Sequence, residues 1–94
     1  MPQAVSQPML EAGACLASIL RDAGLIVEAA AWRYIPEADT WRLFVVIPAV
    51  RERGPRALYT QIDALLPVVH QRCCYQLQLQ NISVVEHASA HPLL

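Results

Sequence analysis

Residues 40–48, Thr-Trp-Arg-Leu-Phe-Val-Val-Ile-Pro, leave this chain the least choice of conformation. A run so rich in β-branched and aromatic side chains fits a half-buried pleated surface. Just before it, Pro36, Glu37, Ala38 and Asp39 supply turn residues, and residues 25–35 are dominated by Leu, Ile, Val, Ala, Trp and Tyr. The prediction is a β-hairpin. If Ile35 faces Thr40, Tyr34 lies opposite Trp41, Trp32 opposite Leu43, Ala30 opposite Val45 and Glu28 opposite Ile47. The other face then pairs Arg33 with Arg42, Ala31 with Phe44 and Ala29 with Val46. Two directly opposed arginines repel unless solvent or an anion separates them, so their face is expected to point outward and the aromatic face inward. Glu28 sits awkwardly in this scheme. A carboxylate opposite Ile47 needs a partner such as Arg21, or else a place at the sheet's end near water.

Helical periodicity frames the hairpin on both sides. Met9, Ala12, Gly13, Leu16, Ile19, Leu20 and Ala23 fall at spacings of three and four, which predicts a helix over about 7–23 with Ser6 as its cap. Gly24 is placed to adopt the left-handed conformation that ends it, with Leu25 folding back on Leu20. A second helix opens at Gly54-Pro55 and carries Leu58, Ile62, Leu65, Leu66 and Val69 on one stripe, with Tyr59 at its margin. Pro67 is expected to end or kink it near Leu66, leaving a short loop over 70–74. Over 75–86 Tyr75, Leu77 and Leu79 alternate with Gln76, Gln78 and Gln80 before the apolar role shifts to Ile82 and Val84. The expectation there is a third strand with a bulge near Gln80-Asn81.

The predicted architecture is therefore α+β, a two-layer sandwich of element order α-β-β-α-β. Its three-stranded, mainly antiparallel sheet carries two helices on one face. The third strand can lie antiparallel beside the first or parallel beside the second, and strand order 2-1-3 is preferred. The arrangement resembles a ferredoxin-like fold lacking its first strand, a likeness of topology that implies no function. Residues 1–6 are expected to fray, 7–86 to form the single domain, and 87–94 to be a loosely held tail, with Leu93-Leu94 able to dock locally.

With 94 residues, 55% of them apolar and 16% charged, the chain has ample material for one core and too little for two. Seven arginines against eight acidic residues, with no lysine, give a net charge of −1 and no strong basic field for nucleic acid. So little charge on so apolar a chain favours self-association or a covering partner. Cys15, Cys73 and Cys74 are an odd number with two adjacent, which does not look like a disulfide framework. No apolar run reaches the length of a membrane span, and a cytoplasmic protein that does not touch membrane is expected.

Four groups of residues could carry chemistry. Arg33, Arg42, Phe44, Val46, Gln76, Gln78 and Gln80 would share the outward sheet face, an aromatic and two arginines beside a row of amides suited to a protein partner. The same residues could equally do no more than solvate the sheet. Arg51, Arg53 and Arg56 surround Gly54-Pro55 and could hold an anion, although Pro55 removes a donor and Glu52 offsets charge. His70, Cys73, Cys74, His87 and His91 offer nitrogen and sulfur ligands at a spacing unlike that of zinc knuckles, and no metal is expected. Cys73 or Cys74 with His70 offers only proximity, in a loop beside Arg72, where a reactive thiolate needs a base or positive field and a cleft.

No catalytic residue and no cofactor follow from these patterns, so the expected function is non-catalytic. The chain reads as a small interaction or regulatory module, a homodimer or a complex subunit, using its sheet face or a strand edge. The alternative is an accessory subunit of a nucleic-acid-processing assembly that contacts phosphate through Arg33, Arg42, Arg51, Arg53 and Arg56.

Overall fold

The structure, a computed structural model, describes residues 5–73 and 75–87. The expectations placed on residues 1–4, Cys74, His91 and the Leu93-Leu94 tail lie outside the described residues. Helix α1 spans Gln7–Asp22, strands β1 and β2 span Ala29–Ile35 and Thr40–Val46, and α2 is one turn at Val50–Arg53. Helix α3 spans Pro55–Arg72, and a 3-10 turn at Leu79–Asn81 leads into β3, Ile82–Val85. Helix α1 packs on β1 and α3 on β3, with the two helices side by side on one face of the sheet. This is the expected two-layer α+β arrangement. Among the described residues no helix is long and apolar enough to cross a membrane.

Local chemistry fixes the first helix at both ends. Ser6 Oγ accepts the Met9 N–H at 3.3 Å, capping the start. At the other end Leu25 N–H reaches the Leu20 carbonyl and Gly24 N–H reaches that of Arg21, each at 3.0 Å, with Gly24 at φ +97°. These are the two bonds of a Schellman ending, and they bring buried Leu20 and Leu25 together. Arg21 then ties down the connection to β1, its Nε and Nη2 donating to the Val27 carbonyl at 3.1 and 2.8 Å. Gly24→Ala is expected to cost about 1 kcal/mol, because a Cβ is unfavourable at that φ. Urea unfolding should show the loss as a lower midpoint at unchanged slope.

The hairpin register is the one read from the sequence, from Ala29 opposite Val46 to Ile35 opposite Thr40. Its turn closes with Asp39 at φ +49°, a conformation Asp tolerates better than most residues. The Tyr34 hydroxyl donates to the Asp39 carboxylate, and that bond, with some desolvation and the carboxylate's charge, raises the phenol above its ordinary pKa. Glu28 falls outside the ladder and is exposed at the sheet's end.

Several expectations are corrected. Strand order is β1-β2-β3, not 2-1-3, and β3 lies parallel to β2, with Leu43 opposite Ile82 and Val45 opposite Val84. Leu43, Val45 and Ile82 thereby join α1 and α3 side chains in one core, which places the most apolar strand at the sheet's centre. Strand β3 is four residues long, and a 3-10 turn, not a bulge, produces the shift in phase. Asn81 makes that turn, its Oδ1 accepting the Gln78 N–H at 3.1 Å. Helix α3 runs through Pro67 to Arg72, so 70–72 is helix and not loop. Pro67 is exposed, and its missing bond falls on the solvent side, where the carbonyl of exposed Asp63 can turn to water. Leu66 and Val69 on the opposite side keep the helix docked.

Candidate functional site

The outward face of the sheet brings four of its seven expected residues together. Arg33 lies opposite Arg42 and Ala31 opposite Phe44, with Val46 two residues on. The opposed arginines avoid each other because Arg42 turns across to β3. Its Nε donates to Ser83 Oγ at 2.9 Å and its Nη2 to the Ile82 carbonyl at 3.3 Å, while Arg33 stays exposed. Phe44 and Val46 do face away from the helices, yet each is only 5% exposed. They are not the open apolar contacts expected for a docking face.

The glutamine row is not on this face at all. Gln76 and Gln78 lie in the connection after α3 and Gln80 in the 3-10 turn, all three exposed. The intervening leucines explain why. Leu77 is fully buried and Leu79 half-buried, so the segment is drawn beneath α3 before the chain turns into β3. His70 holds it there, Nε2 donating to the Leu77 carbonyl at 2.5 Å.

The remaining candidates are separate features. Arg51 and Arg53 lie on α2 and Arg56 opens α3, all exposed around Gly54 at φ +84°. Cys73 caps the end of α3 with Sγ 3.8 Å from the Glu11 carbonyl, while half-buried Cys15 packs against the core. His87 is exposed beyond β3. Among the described residues no three His, Cys, Asp or Glu side chains gather as a metal site would require.

The two edges of the sheet differ sharply, a contrast that side-chain patterns alone could not reveal. Ile47 N–H bonds the Val85 carbonyl at 2.9 Å, so odd-numbered residues of β2 address β3 and even-numbered ones address β1. It follows that Ile82 and Val84 point their main-chain groups to the outer edge of β3. Three of those four groups are taken. Val84 N–H donates to the Tyr59 hydroxyl at 2.8 Å, Ile82 N–H to the Leu79 carbonyl, and the Ile82 carbonyl accepts from Arg42. Tyr59 is the functional residue that sequence reasoning passed over, since a tyrosine at the margin of a helical stripe gives no sign of the amide it will meet.

On the opposite side, Ala30, Trp32 and Tyr34 turn their main-chain groups outward from β1. Among the described residues none partners those amides and carbonyls. The strand has no proline or lysine within it, and Arg33 is its one charged side chain. Beside it, Trp32 is anchored by its indole N–H to the Met9 carbonyl at 2.9 Å and packs edge-on against Tyr75 at 5.9 Å. Compared with protein-family models, curated proteins and solved structures, the chain gave no match.

Proposed function

We propose that this chain is a non-catalytic protein–protein interaction module that accepts an additional β-strand at the edge of β1. The observation that carries the reading is the seven-residue β1 edge, whose outward amides and carbonyls at Ala30, Trp32 and Tyr34 meet no partner among the described residues, while most of the β3 edge is taken up. Main-chain hydrogen bonds to such an edge supply affinity, and the neighbouring side chains choose the strand. The edge is favoured over the sheet face because Phe44 and Val46 on that face are already buried.

Ala30→Pro tests this directly. The Ala30 N–H points outward, so proline there removes a donor from the edge without breaking a bond to β2. The variant is expected to keep its circular dichroism spectrum and lose association by light scattering behind size exclusion. Association that survives Ala30→Pro in a folded chain would sink the reading. Run at two salt concentrations, the same measurement addresses phosphate contact through Arg33, Arg42, Arg51, Arg53 and Arg56. Strand pairing changes little with salt, whereas phosphate binding weakens steeply.

A further inference from the structure

Resting on the reading of β1 as an open edge, we infer that the strand it accepts is β1 of a second copy, running antiparallel about a two-fold axis at Trp32. The register follows from geometry. Main-chain bonds can form only between residues that point outward on both copies, which are Ala30, Trp32 and Tyr34. Pairing Trp32 with Trp32 of the second copy, and Ala30 with Tyr34, uses all three on each chain and overlaps the strands along their whole length. Sliding by one permitted step in either direction loses part of that overlap. One of those steps would also set Arg33 directly against Arg33 of the second copy.

The side chains around the edge suit this register. On the outward face Arg33 meets Ala31 of the second copy in a pair without main-chain bonds, where side chains approach most closely and the alanine leaves room. The only charged side chain of the strand therefore avoids its own image. On the helix face the two half-exposed Trp32 rings come together at the axis, a central aromatic anchor of the kind that dominates interfaces. On α1, Leu10 at 50% exposure is one of two large apolar side chains left exposed among the described residues. Leu10 follows Met9, whose carbonyl holds the Trp32 indole, and Ala14 lies one turn further along α1, both exposed. A second copy related by the axis presents the same pair. Each α1 then meets its mate through a leucine and an alanine, and the two sheets become one of six strands with Tyr59 at each outer edge.

The test combines oligomeric state, amide exchange and charge at position 31. The full chain is expected to be a dimer by light scattering, with slow hydrogen exchange at the Ala30, Trp32 and Tyr34 amides. Ala31→Glu sets a carboxylate against Arg33 of the second copy twice over and should tighten the dimer about two- to thirty-fold, and Ala31→Lys should weaken it by a similar factor. Tightening by one and weakening by the other supports this register. A dimer indifferent to both variants and to Ala30→Pro overturns it, because the contact then lies elsewhere. A monomer at millimolar concentration whose three amides exchange rapidly overturns the second copy as occupant while leaving the edge open for a different strand. A monomer whose three amides are protected overturns both readings, since the edge is then covered from within the chain.

Discussion

Phe44→Glu is expected to cost about 4 kcal/mol or more, a large share of the roughly 5–15 kcal/mol that stabilises a domain of this kind. Phe44 occupies the middle of the central strand between Ala31 and Ser83. At 5% exposure its ring is buried even though it faces away from the helices. Removing a buried phenyl ring accounts for about 3 kcal/mol of the loss. The carboxylate adds a desolvation cost that Arg33 or Arg42 can offset only in part, and Arg42 would have to leave Ser83 to do so. Phe44→Ala separates the two contributions and should fall between the variant and the wild type. Chemical unfolding followed by tryptophan fluorescence provides the measurement. A Phe44→Glu protein that unfolds at the wild-type midpoint would show that the ring makes no buried contact and that this face is open to a partner.

The same residue marks how far the sequence can be read. Its facing was legible, because turn chemistry at residues 36–39 between two long β-forming runs sets a hairpin register, and the opposed Arg33 and Arg42 mark which face turns outward. The end of α1 was legible for a similar reason, since Gly24 and Leu25 act within one turn of the helix they stop. Burial of Phe44 was not legible. Facing is a local property of a strand, whereas coverage depends on what else the chain brings to that side.

The errors after residue 66 have one physical origin. Alternation of leucine and glutamine over 75–80 has the period of a strand, but period supplies no partner for the main chain. The leucines are instead satisfied beneath α3, and His70 on that helix takes up the Leu77 carbonyl. That helix reaches far enough to do so because Pro67 sits on its solvent side and costs one bond there without disturbing Leu66 or Val69. Once 75–81 is spent as a connection, only Ile82–Val85 remains to pair. Its Ile82 and Val84 extend the core surface already formed by Leu43 and Val45 on β2. The open edge of β1 is the direct consequence of that choice, since a third strand can cover one side of the hairpin or the other and not both.

Trp32→Ala is expected to destabilise the chain by about 3 kcal/mol, the second large effect, and for reasons unlike those at Phe44. Trp32 is half-buried, so the loss comes from three contacts that disappear together: its packing against the core, its edge-on contact with Tyr75 and its hydrogen bond to the Met9 carbonyl. Gly13 sharpens the point. A Cβ built there would stand 3.2 Å from both the Trp32 indole nitrogen and Leu43, so α1 approaches the sheet closely where the indole passes beneath it. Alanine at 32 leaves that approach resting on Leu43 alone. Trp32→Phe should cost about 1 kcal/mol, because it keeps a ring and gives up the bond to Met9. Both variants need comparison with the wild type at the same low micromolar concentration and again at high concentration, since pairing of β1 edges would make stability rise with concentration. The loss measured at low concentration belongs to the fold. Any further loss that emerges at high concentration belongs to the edge, where the same indole stands at the axis, and a deficit identical at both concentrations would assign Trp32 to the core alone.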